Sequence, residues 1–512
     1  LQNVQHETFS SLLQLYKQLR EDDYKCGVWF RRANYDNTRI GLIYEQQGLF
    51  YQAQKIYEEL IARSIDAYLN VSDFESTNPD ELLEFNLWEE GWIHCCKELN
   101  QWYELSEYAW NKESDYSLSL ECAWKMPSQL QSQSSMSDWI NMKQLLLNPQ
   151  RESSNLPRDQ MWRWWLYQGY YLVCNPEDYQ EFIILNNPNG HEQTQASALQ
   201  ASAAAAFASS STAIESRIEK CMSTALKEWR RLPKLVSQAH MQLLQAAQQI
   251  VELQEAYQIQ SNLNTLQMRS PRPNLNPSLI LQEIKSIIKT WRTRLPLIND
   301  DLSYWNEIFT WRQYHYEAFT RFYEKQQTVG TGNPAMLGVH ALAQGIVHFG
   351  KIARKQHLYD LCLDTLNKIH KKQSVPIIDC FLKVKQEIKC YINTFEYLSM
   401  KQALDLLEVI EATNLKYFTK ENVAELISLK ANFLQLCGKS DDANHLYSFS
   451  IYLNDSQARL WGAWGDYLTQ AYVSVCSSPS PPSSSTNLTA FQRRSIDTAE
   501  SALIALLHAT RR

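Results

Sequence analysis

The sequence predicts an all-α fold, an α-α superhelical solenoid of tetratricopeptide/HEAT-like helical hairpins. Residues 40–60, IGLIYEQQGLFYQAQKIYEEL, place small and aromatic residues where an antiparallel helix pair requires them. The composition agrees, because 16 Trp, 27 Tyr and 17 Phe accompany only 14 Gly and 16 Pro in 512 residues, which gives many packing residues and few helix breakers. Apolar stripes with spacings of three and four also recur along the chain. Since one hairpin cannot bury its apolar face alone, the pattern predicts stacked hairpins in a protein that binds other proteins.

The first hairpin carries the residues that we assign to the structural repeat. Its first helix is predicted to begin at Ile40 and to end at Gly48. The inner face of its second helix, which packs against the first, is predicted to end at Leu60. The residues of the repeat are Gly41, Tyr44, Gly48, Phe50, Ala53 and Tyr57.

Four later stripes predict further helices, each with one buried face. In chain order they are Trp88, Trp92, Cys95, Leu99 and Trp102; Leu243, Ala246, Ile250, Leu253 and Tyr257; Leu281, Ile284, Ile288, Trp291 and Leu295; and Leu426, Leu429, Phe433 and Leu436. The fourth ends at Gly438 and is followed by Ala443 and Tyr447, which repeats the Gly-to-Ala and Ala-to-Tyr spacings of the first hairpin. Hairpins are therefore predicted near both ends of the chain.

Tracts rich in Ser, Gln, Pro and Ala separate the helical parts, at 127–138, 186–212, 261–277, 324–334 and 477–487. Such tracts bury too little apolar area to offset the entropy of ordering, so they predict loops or insertions, although the Ala run at 203–206 is compatible with a helix. The predicted parts are an N-terminal helical-repeat part (1–185), a low-complexity insertion (186–212), a middle helical part (213–323), a loop (324–334), a C-terminal helical-repeat part (335–474), a Ser/Pro-rich linker (475–490) and a helical tail (491–512).

Charge and cysteine usage exclude several classes of protein. A net charge of -7 and a pI near 5.9 give no general attraction for phosphates, so no direct nucleic-acid binding is expected. The 11 Cys include no C-x-x-C pair, which predicts reduced, mostly buried thiols.

Without an apolar run near the roughly 18 residues of a membrane span, and without a signal-peptide layout, we expect a soluble intracellular protein with no membrane partner. Because the chain begins with Leu1 rather than Met, we expect a fragment of a longer protein.

Candidate chemical sites are few, and the sequence predicts no catalytic residue, no cofactor and no metal site. Gly438-Lys439-Ser440 resembles the end of a phosphate-binding loop, but Phe433 stands where that loop has its first Gly, so a turn between helices is favoured. The kinase motifs H-R-D and D-F-G do not occur. His340 and His348 are eight residues apart without a carboxylate or thiol at ligand spacing, which favours ordinary packing or surface histidines.

Two further groups have a structural and a functional interpretation. The cluster MWRWWLY at 161–167 would serve either as a base-stacking platform or peptide anchor, or as core packing between helical layers, and core packing is favoured. Asp300 and Asp301 are predicted to open the next helix, where carboxylates suit the positive end of the helix dipole.

Ordered blocks along nearly the whole chain resemble one family. They are LWEEGWIHCCKELNQW (87–102), LECAW (120–124), KEWRRLPKLVSQAH (227–240), LLQAAQQIVELQEA (243–256), KTWRTRLPLINDDLSYWNEIFTWRQYHY (289–316), NPAMLGVHA (333–341), FGKIARKQHL (349–358), LEVIEATNLKYFTKE (407–421) and WGAWGDYL (461–468). Together they resemble the FAT domain of the TRRAP (transformation/transcription domain-associated protein) family of phosphatidylinositol 3-kinase-related pseudokinases. The tracts at 127–138, 186–212 and 477–487 look like insertions relative to the family pattern.

The resemblance implies a helical FAT solenoid that clasps a C-terminal kinase-like domain without catalytic residues. It implies a nuclear, non-catalytic scaffold segment of a transcription coactivator subunit. The implied partners are other subunits of SAGA-type and related histone acetyltransferase complexes, transcriptional activators and the kinase-like domain of the same protein. The main alternative is the regulatory FAT domain of an active kinase of the same superfamily. An unrelated tetratricopeptide adaptor is a weaker alternative, because it predicts uniform repeats of about 34 residues and the long irregular connections argue against it.

Overall fold

The computed structural model describes residues 2–19, 21–70, 79–111, 116–125, 143, 145–146, 161–175, 203–267, 277–326, 334–371, 375–397, 400–411, 415–477 and 485–511. Within these ranges the chain forms 20 α-helices and short 3-10 helices, and no strand. The predicted all-α class is therefore confirmed. The chain divides into two compact units, Leu1–Ala335 and Met336–Arg512.

The first unit is built from twelve helices within the described residues, and most consecutive helices pack on one another. They are α1 (Gln2–Leu19), α2 (Asp22–Arg32), α3 (Asp36–Gln46), α4 (Phe50–Asn70), α5 (Pro79–Glu98), α6 (Trp102–Asn111), α7 (Tyr116–Lys125), α8 (Met161–Cys174), α9 (Ala203–Trp229), α10 (Gln238–Gln267), α11 (Pro277–Thr293) and α12 (Leu302–Gln326). Helix α8 is predominantly apolar and is buried along most of its length, as expected for a helix packed between others.

The second unit contains the remaining eight α-helices. They are α13 (Ala335–Lys355), α14 (Tyr359–Asn367), α15 (Ile377–Thr394), α16 (Met400–Glu411), α17 (Lys420–Leu436), α18 (Ser440–Leu453), α19 (Ala458–Ser477) and α20 (Ser485–Arg511), with 3-10 helices at Lys368–Lys371, Phe395–Tyr397 and Leu415–Tyr417. One apolar cluster contains side chains from all six helices from α15 to α20, among them Phe381, Phe433 and Tyr447.

Several helix ends differ from the sequence prediction. Helix α3 begins at Asp36 rather than Ile40, whose side chain is 41% exposed. The stripe from Trp88 to Trp102 is not one helix, because α5 ends at Glu98 and α6 begins at Trp102. Packing of neighbouring helices overrides the local signals from which such boundaries are read.

Helices also enter the segments predicted as loops. Helix α9 starts at Ala203, inside 186–212, because alanine has the highest intrinsic helix propensity. Helix α12 runs to Gln326, and the end of α19 and the start of α20 both lie inside 475–490. The tract at 127–138 and residues 186–202 lie outside the described residues, and the limits of the predicted parts stay a prediction.

Candidate functional site

Tyr57 is the central side chain of the predicted repeat, and it is clamped between two glycines. Its ring is fully buried. A Cβ atom placed on Gly41 of α3 would lie 2.8 Å from Tyr57 Cε1, and one placed on Gly91 of α5 would lie 2.6 Å from Tyr57 Cε2. Both distances are shorter than van der Waals contact, so the two neighbouring helices approach α4 only because both positions lack a side chain. Gly91 was not identified from the sequence.

The other residues of the predicted repeat lie around this clamp. Ala53 is fully buried in the same apolar cluster as Tyr57, and Tyr44 and Phe50 pack against that cluster while remaining partly exposed. Gly48 follows the end of α3 with a φ of 73°. The structure therefore brings the predicted residues together in one hairpin and adds α5 as a third wall.

A polar network holds the hydroxyl end of Tyr57. The hydroxyl donates to Glu45 Oε2 at 2.8 Å, and His94 Nδ1 lies 3.0 Å from Glu45 Oε1. Partial desolvation lowers the pKa of His94, but the hydrogen bond and charge of Glu45 outweigh it and raise the pKa to about 9. Burial raises the pKa of Tyr57, and the charge of Glu45 raises it further. The network is therefore a buried tyrosine bonded to an ion pair across α3, α4 and α5.

The hairpin of α17 and α18 repeats this arrangement in the second unit. Gly438 has a φ of 78°, Ala443 is fully buried, and the Tyr447 hydroxyl donates to Gln435 Oε1 at 3.4 Å. Tyr57 and Tyr447 each bond to a side chain twelve residues earlier. Gly438 and Lys439 lie in the turn between the helices and Ser440 begins α18, so the predicted turn is confirmed.

Two more hairpins share this register, although the sequence did not indicate them. Asn100 and His357 take the place of the turn glycine with φ values of 61° and 65°. In each of the four hairpins the residue after the turn donates its backbone N–H to the carbonyl five residues earlier, at 2.9 or 3.0 Å, which is a common helix C-terminal motif.

The four turns also share a pairing of small with large side chains. The positions seven residues before and nine residues after the turn hold Gly41 and Tyr57, Ile93 and Ala109, Gly350 and Leu366, and Ala431 and Tyr447. At Gly350 an added Cβ would lie 3.0 Å from Leu366, so the glycine again admits a large partner. An aromatic residue two positions after the turn marks three of the hairpins, at Phe50, Trp102 and Tyr359. That aromatic residue, together with the tolerance of Asn and His for left-handed backbone, would have identified the two hairpins that were missed.

The Trp-rich cluster is part of the core. Trp162 and Trp164 are almost completely buried, and Tyr170 of the same helix stacks on Trp311 with ring centroids 4.0 Å apart. Trp165 is partly exposed, and Lys220 Nζ lies 4.7 Å from its ring centroid. The favoured interpretation of core packing is confirmed.

A buried ion pair caps a helix end in the first unit. Arg312 and Glu252 are each about 1% exposed and are joined by hydrogen bonds of 3.0 and 2.6 Å. Arg312 also donates to the carbonyls of Trp291 and Arg294 at the C-terminal end of α11, at 2.6 and 2.7 Å. A cation is favourable there because the last carbonyls of a helix lack helical partners.

Carboxylates, rather than a cation, lie at the N-terminal end of α12. Asp300 and Asp301 directly precede it, as predicted. Glu98, which lies more than 200 residues earlier, accepts hydrogen bonds from the backbone N–H groups of Leu302 at 2.8 Å and Ser303 at 3.4 Å. Carboxylates suit this end because the first N–H groups of a helix are free donors. These long-range caps were not identified from the sequence.

His340 and His348, the two histidines considered above, bond to different partners. His340 Nδ1 lies 2.6 Å from Asp379 Oδ2, while His348 Nδ1 lies 2.8 Å from the carbonyl of Gln344. In the part of the chain that the structure describes, no group of three or more His, Cys, Asp or Glu side chains is arranged to hold a metal ion. Among the same residues no helix is both long and apolar enough to cross a bilayer.

Comparison with known proteins identifies similar chains. The model of the FAT domain family matches residues 116–511. The transformation/transcription domain-associated protein of Danio rerio is 40% identical over 472 residues, covering 92% of this chain and 11% of that protein. The transcription-associated protein 1 of Drosophila melanogaster is 38% identical, covering 91% of this chain and 11% of that protein. A SAGA complex/NuA4 acetyltransferase complex subunit of Saccharomyces cerevisiae is 31% identical, covering 89% and 11%. The chain thus spans about a tenth of the length of the curated relatives that it matches.

Proposed function

This chain belongs to the FAT domain family, and on that premise we propose that it is a non-catalytic scaffold segment of a transcription coactivator subunit of histone acetyltransferase complexes. In this role it supports activator recruitment and chromatin acetylation. The observation that carries the proposal is similarity along 89% to 92% of the chain to proteins named as transcription-associated proteins and as an acetyltransferase complex subunit.

The described side chains support a mechanical role. The Trp-rich helix, the Tyr57 clamp and the Arg312–Glu252 pair all hold helices against one another. Stacked helices with fixed spacing present a long surface to other proteins, which is how helical-repeat scaffolds bind. The chemistry of acetyl transfer would belong to another subunit.

Several finer points belong to the same proposal. The partners would be other subunits of SAGA-type and related acetyltransferase complexes, transcriptional activators and a kinase-like domain of the same protein that lacks catalytic residues. The protein would act in the nucleus, and this segment would use no cofactor. The helical parts at 1–185, 213–323 and 335–474 would be successive sections of the scaffold.

Purification of the full-length protein tests the proposal. An affinity-tagged protein should bring down an activity that acetylates nucleosomal histones from acetyl-coenzyme A, and a fluorescent fusion should concentrate in the nucleus. A preparation from untagged cells is the control. Transfer of phosphate from ATP by the purified protein would favour the alternative, a regulatory FAT domain of an active kinase, and the lack of any associated acetyltransferase would refute the proposal.

A pair of variants shows whether this segment itself is needed for assembly. Arg312→Leu leaves Glu252 buried without its cation, so the segment should loosen and less acetyltransferase should be recovered. Adding Glu252→Leu removes the stranded charge and should restore part of the recovery. Equal recovery of acetyltransferase with the wild type, the single variant and the double variant would mean that assembly does not use this segment.

A further inference from the structure

The connection between α9 and α10, residues 230–237, places apolar side chains in solvent. Leu235 is 84% exposed and Val236 is 78% exposed. At the end of α9, Leu226 and Trp229 are 50% and 36% exposed. Single exposed apolar residues are ordinary, but four of them within twelve residues, two at the end of α9 and two on the connection, are typical of a surface that another molecule covers.

Both ends of the connection are fixed. The N–H of Arg230 donates to the Leu226 carbonyl at 3.1 Å, and the N–H of Leu232 donates to the Trp229 carbonyl at 3.2 Å. At the other end the N–H of Ser237 donates to His240 Nδ1 at 3.0 Å. The rings of Trp229 and His240 meet edge to face with centroids 4.9 Å apart. The connection therefore holds Leu235 and Val236 outward between two anchored helix ends.

The same stretch of chain is rich in cationic residues. The exposed cationic residues between 226 and 237 are Lys227, Arg230, Arg231 and Lys234. The one carboxylate of that stretch, Glu228, lies 2.6 Å from Arg231. The stretch thus carries four cations and one anion, within a chain whose net charge is -7. Its charge favours an acidic partner.

We propose that residues 226–237 form a docking surface for an acidic segment of another protein, one that carries apolar side chains among its carboxylates. The carboxylates would meet the four cations, and the apolar side chains would cover Leu235 and Val236. Nucleic acid would use the cations but would leave the two aliphatic side chains uncovered, so a protein segment is favoured. The inference rests on the proposed scaffold function only in requiring a protein partner.

Peptide binding to the full-length protein tests this surface. The probe is a fluorescein-labelled peptide of about 20 residues that alternates Asp or Glu with Leu or Phe, followed by fluorescence anisotropy. The double variant Leu235→Asp/Val236→Asp should raise the Kd about tenfold or more, which is about 1.4 kcal/mol. Leu279→Asp is the matched control, since Leu279 is 56% exposed on α11 of the same unit, and it should change the Kd by less than about twofold.

Changes to the probe separate its two components. Replacing the carboxylates by amides, or the apolar residues by Ser, should each weaken binding about tenfold, and added salt should weaken binding of the unmodified peptide. Equal binding by the double variant and the wild type would overturn the proposal. So would a preference for vesicles of phosphatidylserine over the peptide that is lost in the double variant.

Accessibility in the intact protein is the second measurement. Leu235→Cys should react with a maleimide, read by mass spectrometry of the 226–237 peptide, about as fast as Leu279→Cys. Protection of Leu235→Cys alone would mean that another part of the full-length protein covers the surface, which would overturn the proposal. These outcomes do not depend on recovery of acetyltransferase, so this inference and the proposed function fail separately.

Discussion

The clamp on Tyr57 makes Gly91→Ala an informative substitution. The new Cβ would lie 2.6 Å from Tyr57 Cε2 and 2.9 Å from Cζ. The ring has no room to move away, because Gly41 packs against its other edge. A Cβ placed on Gly41 would lie only 2.8 Å from Tyr57 Cε1. We therefore expect α5 to shift away from α4.

Two opposing effects set the magnitude. Overpacking of a well-packed interior costs about 1–3 kcal/mol, whereas Ala in place of Gly inside a helix stabilises by about 0.5–1 kcal/mol. With the ring held on both sides, overpacking should dominate and leave a net destabilisation of about 1–2 kcal/mol. This corresponds to roughly a 5- to 30-fold change in the local opening equilibrium.

Hydrogen exchange read by mass spectrometry is the suitable assay, because local opening of a chain with two units is not described by one melting temperature. Amides of α4 and α5 should lose protection in Gly91→Ala. Gly27→Ala is the matched control, since Gly27 lies inside α2 with nothing within 4 Å of an added Cβ, and it should increase protection of α2. In a Tyr57→Leu background Gly91→Ala should cost less or become stabilising. Unchanged protection in Gly91→Ala, or the same loss in both backgrounds, would refute the clamp.

Three further predictions follow from the turns and the buried polar groups. His357→Gly should stabilise its hairpin by about 1 kcal/mol, since left-handed backbone is costly for residues other than Gly; slower exchange at α14 would verify this, and faster exchange would contradict it. Arg312→Leu should destabilise the first unit by about 3–5 kcal/mol, and Arg312→Leu/Glu252→Leu by much less; hydrogen exchange at α10 and α12 should separate the two, and equal protection in both variants would count against a stranded charge. Burial lowers the pKa of His315 to about 3, so the unfolded chain binds the proton more readily and stability should fall as the pH drops from about 6.5 toward 3, by about 2 kcal/mol at pH 5. Exchange at α12 compared at pH 7 and pH 5, with correction for the intrinsic rate, should reveal this loss, and His315→Phe should abolish it; identical pH dependence in both proteins would argue against it.

The first hairpin illustrates how much the sequence could supply. The pattern from Gly41 to Tyr57 is read correctly as two packed helices, because small and large residues at helical spacing define a face locally. Gly91 could not be found in the same way, since nothing in its own helix indicates that Tyr57 will lie against it. The hairpins at Asn100 and His357 were missed for a different reason, because their turns use residues that only sometimes adopt left-handed backbone.

The all-α class and the helical faces could be predicted from the sequence, because periodicity and local propensity act between residues a few positions apart. The resemblance to the FAT family rested instead on ordered blocks of residues along the chain. The tertiary structure alone decided that Glu98 caps α12 and that Arg312 joins Glu252 to the end of α11. These partners are separated by 204 and 60 residues, respectively. Their pairing depends on which helices meet, and the spacing of residues within one helix carries no information about that.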